Sequence, residues 1–145
     1  MIAYKAFNKD LQATMGKGIY QFEIGRTYEE AACKCAQNGF HCAENPLCTL
    51  TYYYREDTRF CIVDAGGDID QDGTGSRISC TKMRIVKEII LNEVGMYGVL
   101  YMVKYPNRET ESNYVVRDKG NCSKGFLIVR GSNPVAAGAT GKEIS

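Results

Sequence analysis

The sequence has almost no net charge, no tryptophan, a single histidine and no apolar run of membrane-spanning length. Lys+Arg 18 against Asp+Glu 17 leaves a formal charge of +1, and no basic block occurs. That balance supplies no field to hold nucleic acid or an anionic membrane surface. A membrane helix needs about 18 or more consecutive apolar residues, and none of the runs comes close. Residues 1–7 lack a charged segment followed by an apolar one, so the expected location is the cytosol of the cell that makes the protein.

What is present suffices for a packed core. A chain of 145 residues buries about 68% of the surface its unfolded form exposes, so neither metal nor disulfide is needed merely to fold. Seven cysteines, Cys33, Cys35, Cys42, Cys48, Cys61, Cys80 and Cys122, make an odd count, and reduced thiols are the default. Cys61 and Cys80 lie in apolar strand-like surroundings and read as small hydrophobes. Ten tyrosines, clustered at Tyr52, Tyr53 and Tyr54 and at Tyr97, Tyr101 and Tyr105, read mostly as core or core edge. Tyr52 and Tyr53 cannot both face inward beside Leu47 and Leu50, which leaves at least one of them for an interface.

Residues 38–47 hold the most local instruction. Gly39 can supply positive φ, and Asn45-Pro46 has the form of an N-cap followed by proline at the first helical position. Leu47, Leu50 and Tyr54 follow at helical spacing. The geometry expected is a glycine corner that turns Phe40 inward and leaves His41, Glu44 and Asn45 facing one concavity at a helix start.

Alternation predicts strands at residues 2–7 and 19–24, paired antiparallel; further strands are expected at 59–63, 114–117 and 126–130, and the β-type stretch 78–91 is one bent strand or two. Residues 96–103 are apolar on both faces and read as a central strand. Thr27 and Glu30 have capping-box spacing, predicting a short helix toward Asn38, although Cys33 to Ala36 fits an extended segment equally. Gly- and Asp-rich residues 64–75 read as an exposed turn. The expected fold is α+β, a mostly antiparallel or mixed sheet of six or seven strands with one or two short helices. Residues 1–130 form one domain in this reading, with 1–91 and 92–130 as its parts, and 131–145 a Gly/Ala-rich tail.

Tyr4-Lys5, the segment from Phe7 to Leu11, the segment from Phe22 to Tyr28, then Gly39-Phe40-His41 with Glu44-Asn45-Pro46-Leu47 and Tyr52-Tyr53, resemble an uncharacterised domain family common in bacteriophages and prophages. Its members carry a Tyr-Lys-Gly-Phe opening and a Gly-Phe-His-x-x-Glu-Asn-Pro-Leu signature; here Ala6 stands in place of the glycine, and Cys42-Ala43 reverses the usual order. The resemblance covers about residues 1–91 and implies a phage or mobile-element origin without supplying a reaction. A more distant likeness is to the ADP-ribosyltransferase fold. It implies a small NAD-dependent enzyme in which Lys5, Tyr28, His41 and Glu88 would orient NAD, stack on nicotinamide and hold the ribose.

Two metal readings arise from spacing. Cys33, Cys35, His41, Cys42 and Cys48 gather soft ligands of the kind zinc prefers, without a second well-spaced cysteine pair. Asp68, Asp70 and Asp72 with Gly73 match the first half of a calcium loop, but Ser79 stands where the closing glutamate belongs. Buried thiols and an acidic turn account for both, so no cofactor is expected, with NAD and zinc as the alternatives. The resulting functional expectation is a phage- or prophage-type binding module that engages and inhibits a host protein such as a defence component. Its binding residues would be Phe40, His41, Glu44, Asn45, Tyr52 and Tyr53. The rivals are the NAD-using transferase and a structural, homo-oligomeric phage component.

Overall fold

The computed structural model describes residues 1–14, 18–52, 56–73, 75–108, 112–122 and 125–138, with Tyr52 described by its backbone alone. Two compact units divide the chain between Ile90 and Leu91. No described helix is long and apolar enough to cross a membrane.

In the first unit, β1 (Ile2–Phe7), β2 (Gln12–Thr14), β3 (Ile19–Gln21), β4 (Thr27–Glu29) and β5 (Phe40–Ala43) precede a 3-10 turn (Pro46–Cys48) and α1 (Thr49–Tyr52). Two long strands, β6 (Arg59–Gln71) and β7 (Arg77–Ile89), complete it. The main sheet is antiparallel, in the order β4-β7-β5-β1-β6, and β6 also pairs with β7. The strands β7, β5, β1 and β6 therefore form a closed circuit. Its seams are unequal: β1 has six residue pairs with β6 but meets β5 at one, Tyr4 opposite Ala43.

Alternation decides what faces inward. Ala3 and Phe7 on β1, Cys61, Val63 and Ala65 on β6, Phe40 and Cys42 on β5, and Cys80, Met83 and Ile85 on β7 share one core. Phe22 fills its centre, with ring centroids at 4.8 Å from Tyr20, 4.9 Å from Tyr28, 5.2 Å from Phe7 and 6.1 Å from Phe40. These are edge-on or tilted packings, the arrangements that aromatic quadrupoles favour.

The sheet differs from the sequence expectation in ways that tertiary pairing explains. The segment at 19–24 pairs with β2, whereas β1 is taken by β5 and β6. Thr27 to Glu29 is the edge strand β4 instead of a helix start, because β7 offers it a ladder at residues 82–84. Residues 64–71 continue β6 instead of turning, with register shifts between Ile62 and Val63 and between Gly66 and Ile69 that bend the strand. Nine strands are found among the described residues, against six or seven expected.

In the second unit, α2 (Leu91–Lys104) occupies the stretch expected to be a central strand. Val94, Gly95, Gly98 and Met102 are its buried positions, a helical spacing that a run apolar on all sides conceals. Gly95 lies beneath the Phe126 ring, where an added Cβ would meet ring carbons at 3.2 Å. β8 (Val115–Cys122) and β9 (Ile128–Gly138) pair in parallel, and β9 takes up residues 131–138 of the expected tail; residues 139–145 lie outside the described residues. Parallel neighbours ordinarily need a crossover of about a dozen residues or more. Here the strands bend instead: Asp118 has φ 64, the register shifts between Arg117 and Lys119, and a Cβ on Gly131 would meet the Asp118 carboxylate at 2.5 Å. The two strands thus stack corner on corner.

Candidate functional site

The weak seam of the circuit is where a cavity opens. Beyond Tyr4 and Ala43, β1 and β5 part, and a space of about 270 Å³ lies between them. It is lined by Tyr4, Lys5 and Ala6 on one side and residues 39–43 on the other, with Ala13, Thr14, Phe22, Thr49 and Arg77 around it. Both faces of the sheet contribute, because the space runs through the seam. Lys5, His41 and Arg77 line it, and none of the described lining residues carries a carboxylate.

Lys5 follows Ala3 and precedes Phe7 on the inward face of β1. Its Nζ donates to the His41 carbonyl at 2.6 Å, bridging the seam where the ladder is missing, and lies 5.7 Å from the centroid of the Phe7 ring. Removal of water from the ammonium pushes its pKa below the usual 10.5, and only the thiols of Cys42 and Cys80 pull the other way. Among the described residues no carboxylate is placed against it. Lys5 is only partly buried, which leaves the amine in reach of the cavity.

Gly39 sets the direction of β5. Its φ is +82, and an added Cβ would lie 2.6 Å from both Cys33 Cβ and Ser79 Oγ. After this corner Phe40 enters the core, as expected, and His41 lines the cavity. The imidazole is not, however, poised at a helix mouth. His41 sits within a strand, and its Nε2 accepts from the Ala36 amide at 2.9 Å. That bond occupies the Nε2 lone pair and places the neutral ring's proton on Nδ1. Burial and the charges of Lys5 and Arg77 push the His41 pKa below 6.5, so the ring is neutral at physiological pH.

Other predicted binding residues turn elsewhere. Asn45 is buried and its Oδ1 accepts from Leu47 N at 3.0 Å, so it caps the turn instead of facing the concavity. Glu44 does not line the cavity; its amide donates to the Ser76 carbonyl at 3.1 Å. The Tyr52 side chain and Tyr53 lie outside the described residues. Of the transferase set, Lys5 and His41 share the cavity, while Tyr28 and Glu88 do not line it. The Tyr28 hydroxyl accepts from Glu23 N at 2.7 Å, and Glu88 is gripped by Arg59 through two hydrogen bonds, at 2.7 and 2.8 Å. Those bonds hold the Glu88 pKa below the ordinary carboxylate value.

The cysteines are spread out. Cys33 and Cys35 donate to the carbonyls of Asp68 and Asp70, and Cys48 lies 3.3 Å from Ser76 Oγ. Cys42 lines the cavity and shares a hydrogen bond with Cys80 that, with burial, drives the Cys42 pKa well up. Among the described residues no three of His, Cys, Asp and Glu are arranged to hold a metal. The aspartates read as a half calcium loop are absorbed locally: Asp70 accepts from Cys35 N at 2.8 Å, and Asp72 pairs with Arg77. Sequence reasoning missed Arg77, Thr49 and Tyr4 as lining residues. Register places Tyr4 and Arg77 on either side of Ala43, information carried only by the pairing.

Fold and site together define an antiparallel β domain whose strand circuit loosens at one seam, where Lys5, His41 and Arg77 line a cavity. The chain belongs to a domain family of unknown function, DUF7666, which matches residues 1–96. No curated protein and no solved structure matches the chain.

Proposed function

We propose that the first unit is a binding module that takes an acidic group of its partner into the seam between β1 and β5. It serves a phage- or prophage-type accessory protein that engages and inhibits a host protein such as a defence component. The observation that carries the binding role is the composition of the cavity wall: the donors of Lys5, His41 and Arg77, with no carboxylate among the described lining residues, beside the apolar surfaces of Phe22 and Phe40; Asp72, which pairs with Arg77, lies outside that lining. About 270 Å³ is at or just below the small end of ligand pockets, the size of a small anion or of one acidic side chain. The phage setting and the host target rest on the resemblance at Tyr4-Lys5 and at Gly39-Phe40-His41. Succinate and inorganic phosphate, titrated at constant ionic strength, are expected to stabilise the protein, by about 1.4 kcal/mol at ten times the dissociation constant. Arg77→Met is expected to lose that response and to lose a host protein whose capture succinate competes. No response to either anion would overturn the reading.

A second reading is favoured by one observation, that Lys5, Phe40 and His41 share the cavity. NAD joins an anionic diphosphate to an aromatic ring, and a space of about 270 Å³ admits the ring or one phosphate, so a small NAD-using transferase would seat only that part of its ligand there. In that case NAD raises the midpoint, Glu88→Gln leaves the rise nearly intact, and release of nicotinamide vanishes. A binding module ignores NAD.

A further inference from the structure

An amine at the wall of a cavity, partly desolvated and with no carboxylate against it among the described residues, is a nucleophile waiting for a carbonyl. We propose that Lys5 condenses with a small oxo acid in the seam cavity, forming an imine, with the ligand's carboxylate received at Arg77 beside its ion pair with Asp72. The reaction depends on the anion-binding reading of the same site but adds covalent chemistry to it.

The geometry fits each requirement. Lys5 lines the cavity, and its Nζ is fixed by one hydrogen bond, to the His41 carbonyl at 2.6 Å. A neutral amine making that bond keeps its lone pair for attack. Desolvation lowers the proton affinity of Nζ and so favours the neutral form. The groups that face it are the thiols of Cys42 on β5 and Cys80 on β7, the neutral His41, Arg77 with its partner Asp72, and Cys61, its register partner on β6. The competing nucleophile of the wall, Cys42, is disarmed because its hydrogen bond with Cys80 and its burial keep the thiol protonated.

The chemistry balances without a further reactant. The Nζ lone pair attacks the carbonyl carbon, and the carbonyl oxygen leaves as water carrying both amine hydrogens. A carbon–nitrogen double bond remains. Protonation of that nitrogen gives an iminium whose N–H again donates to the His41 carbonyl.

The folded protein treated with glyoxylate and cyanoborohydride at pH 7.5 tests this by peptide mapping. Reduction of the imine leaves a carboxymethyl group on the amine. Lys5 is expected to be modified at least tenfold faster than exposed lysines such as Lys9 and Lys82, and the preference is expected to vanish in urea. Succinate is expected to slow the modification at Lys5 alone. Modification of exposed lysines with Lys5 untouched overturns the proposal. If succinate still stabilises the protein in that case, the anion site stands and the covalent step falls; a Lys5 adduct with no succinate effect does the reverse.

Discussion

Gly39→Ala is expected to cost about 3 kcal/mol or more, read as a lower urea midpoint with an unchanged denaturant slope. Two penalties add. Left-handed backbone at φ +82 costs an alanine about 1–2 kcal/mol. The new methyl would also lie 2.6 Å from Cys33 Cβ and Ser79 Oγ and 2.9 Å from the Cys33 Cα, which is backbone. Ser79 cannot step aside freely, because its hydroxyl donates to the Asn38 carbonyl at 2.5 Å. Cys33 opens the short loop that Lys34 and Asn38 close and that holds His41 through Ala36. For a chain of this size the loss corresponds to roughly 10 °C in midpoint. Gly25 is the control: its φ is +89, yet nothing lies within 4 Å of an added Cβ. Gly25→Ala should therefore lose only the backbone term. Equal losses at the two sites would mean that the close approach at Gly39 contributes nothing.

Gly39 also shows how far the sequence could be read. A glycine before Phe-His, followed by Asn-Pro, was enough to expect a corner, an inward phenylalanine and a capped turn, and Asn45 does accept from Leu47 N. β1 was legible from its alternation, and β7 from its run of β-type residues, of which Met83, Ile85 and Ile89 are buried. The helix α2 was not, because a run with no polar face gives neither period, and only its packing against Phe126 resolves the ambiguity. β4 illustrates the opposite failure. Its capping-box spacing is a real local preference, outweighed by the ladder to Arg84, Met83 and Lys82 and by the burial of Tyr28 beneath Phe22. Half of the candidate site was visible, since Phe40 and His41 were named as binding residues and Lys5 entered through the resemblance. The rest depended on where the β1–β5 ladder stops. No local pattern encodes that β1 touches β5 at one pair, and from that fact follow the cavity, the bridging role of Lys5 and the arrival of Arg77.

Lys5→Met is expected to raise stability near neutral pH by about 2 kcal/mol, an unusual sign for a core substitution. Methionine keeps nearly the same length and flexibility, so little packing is lost. The hydrogen bond to the His41 carbonyl goes, at a cost of about 1 kcal/mol. Against that, holding an ammonium partly buried at the cavity wall, with no carboxylate against it among the described residues, costs about 3 kcal/mol. The pH dependence identifies the cause. In the unfolded chain Lys5 binds its proton up to about pH 10.4, whereas in the folded chain burial lowers that value. Between the two values the unfolded state holds more protons, so wild-type stability rises with pH and falls as pH drops toward the folded pKa. The slope approaches about 1.4 kcal/mol per pH unit where the difference is one full proton. Between the folded value and about pH 10.4, Lys5→Met should lose this slope, and the gap between the two proteins should narrow as pH rises. Parallel profiles, or a variant that is less stable throughout, would mean that the Lys5 ammonium is compensated in the fold, and the amine would then have no reason to react.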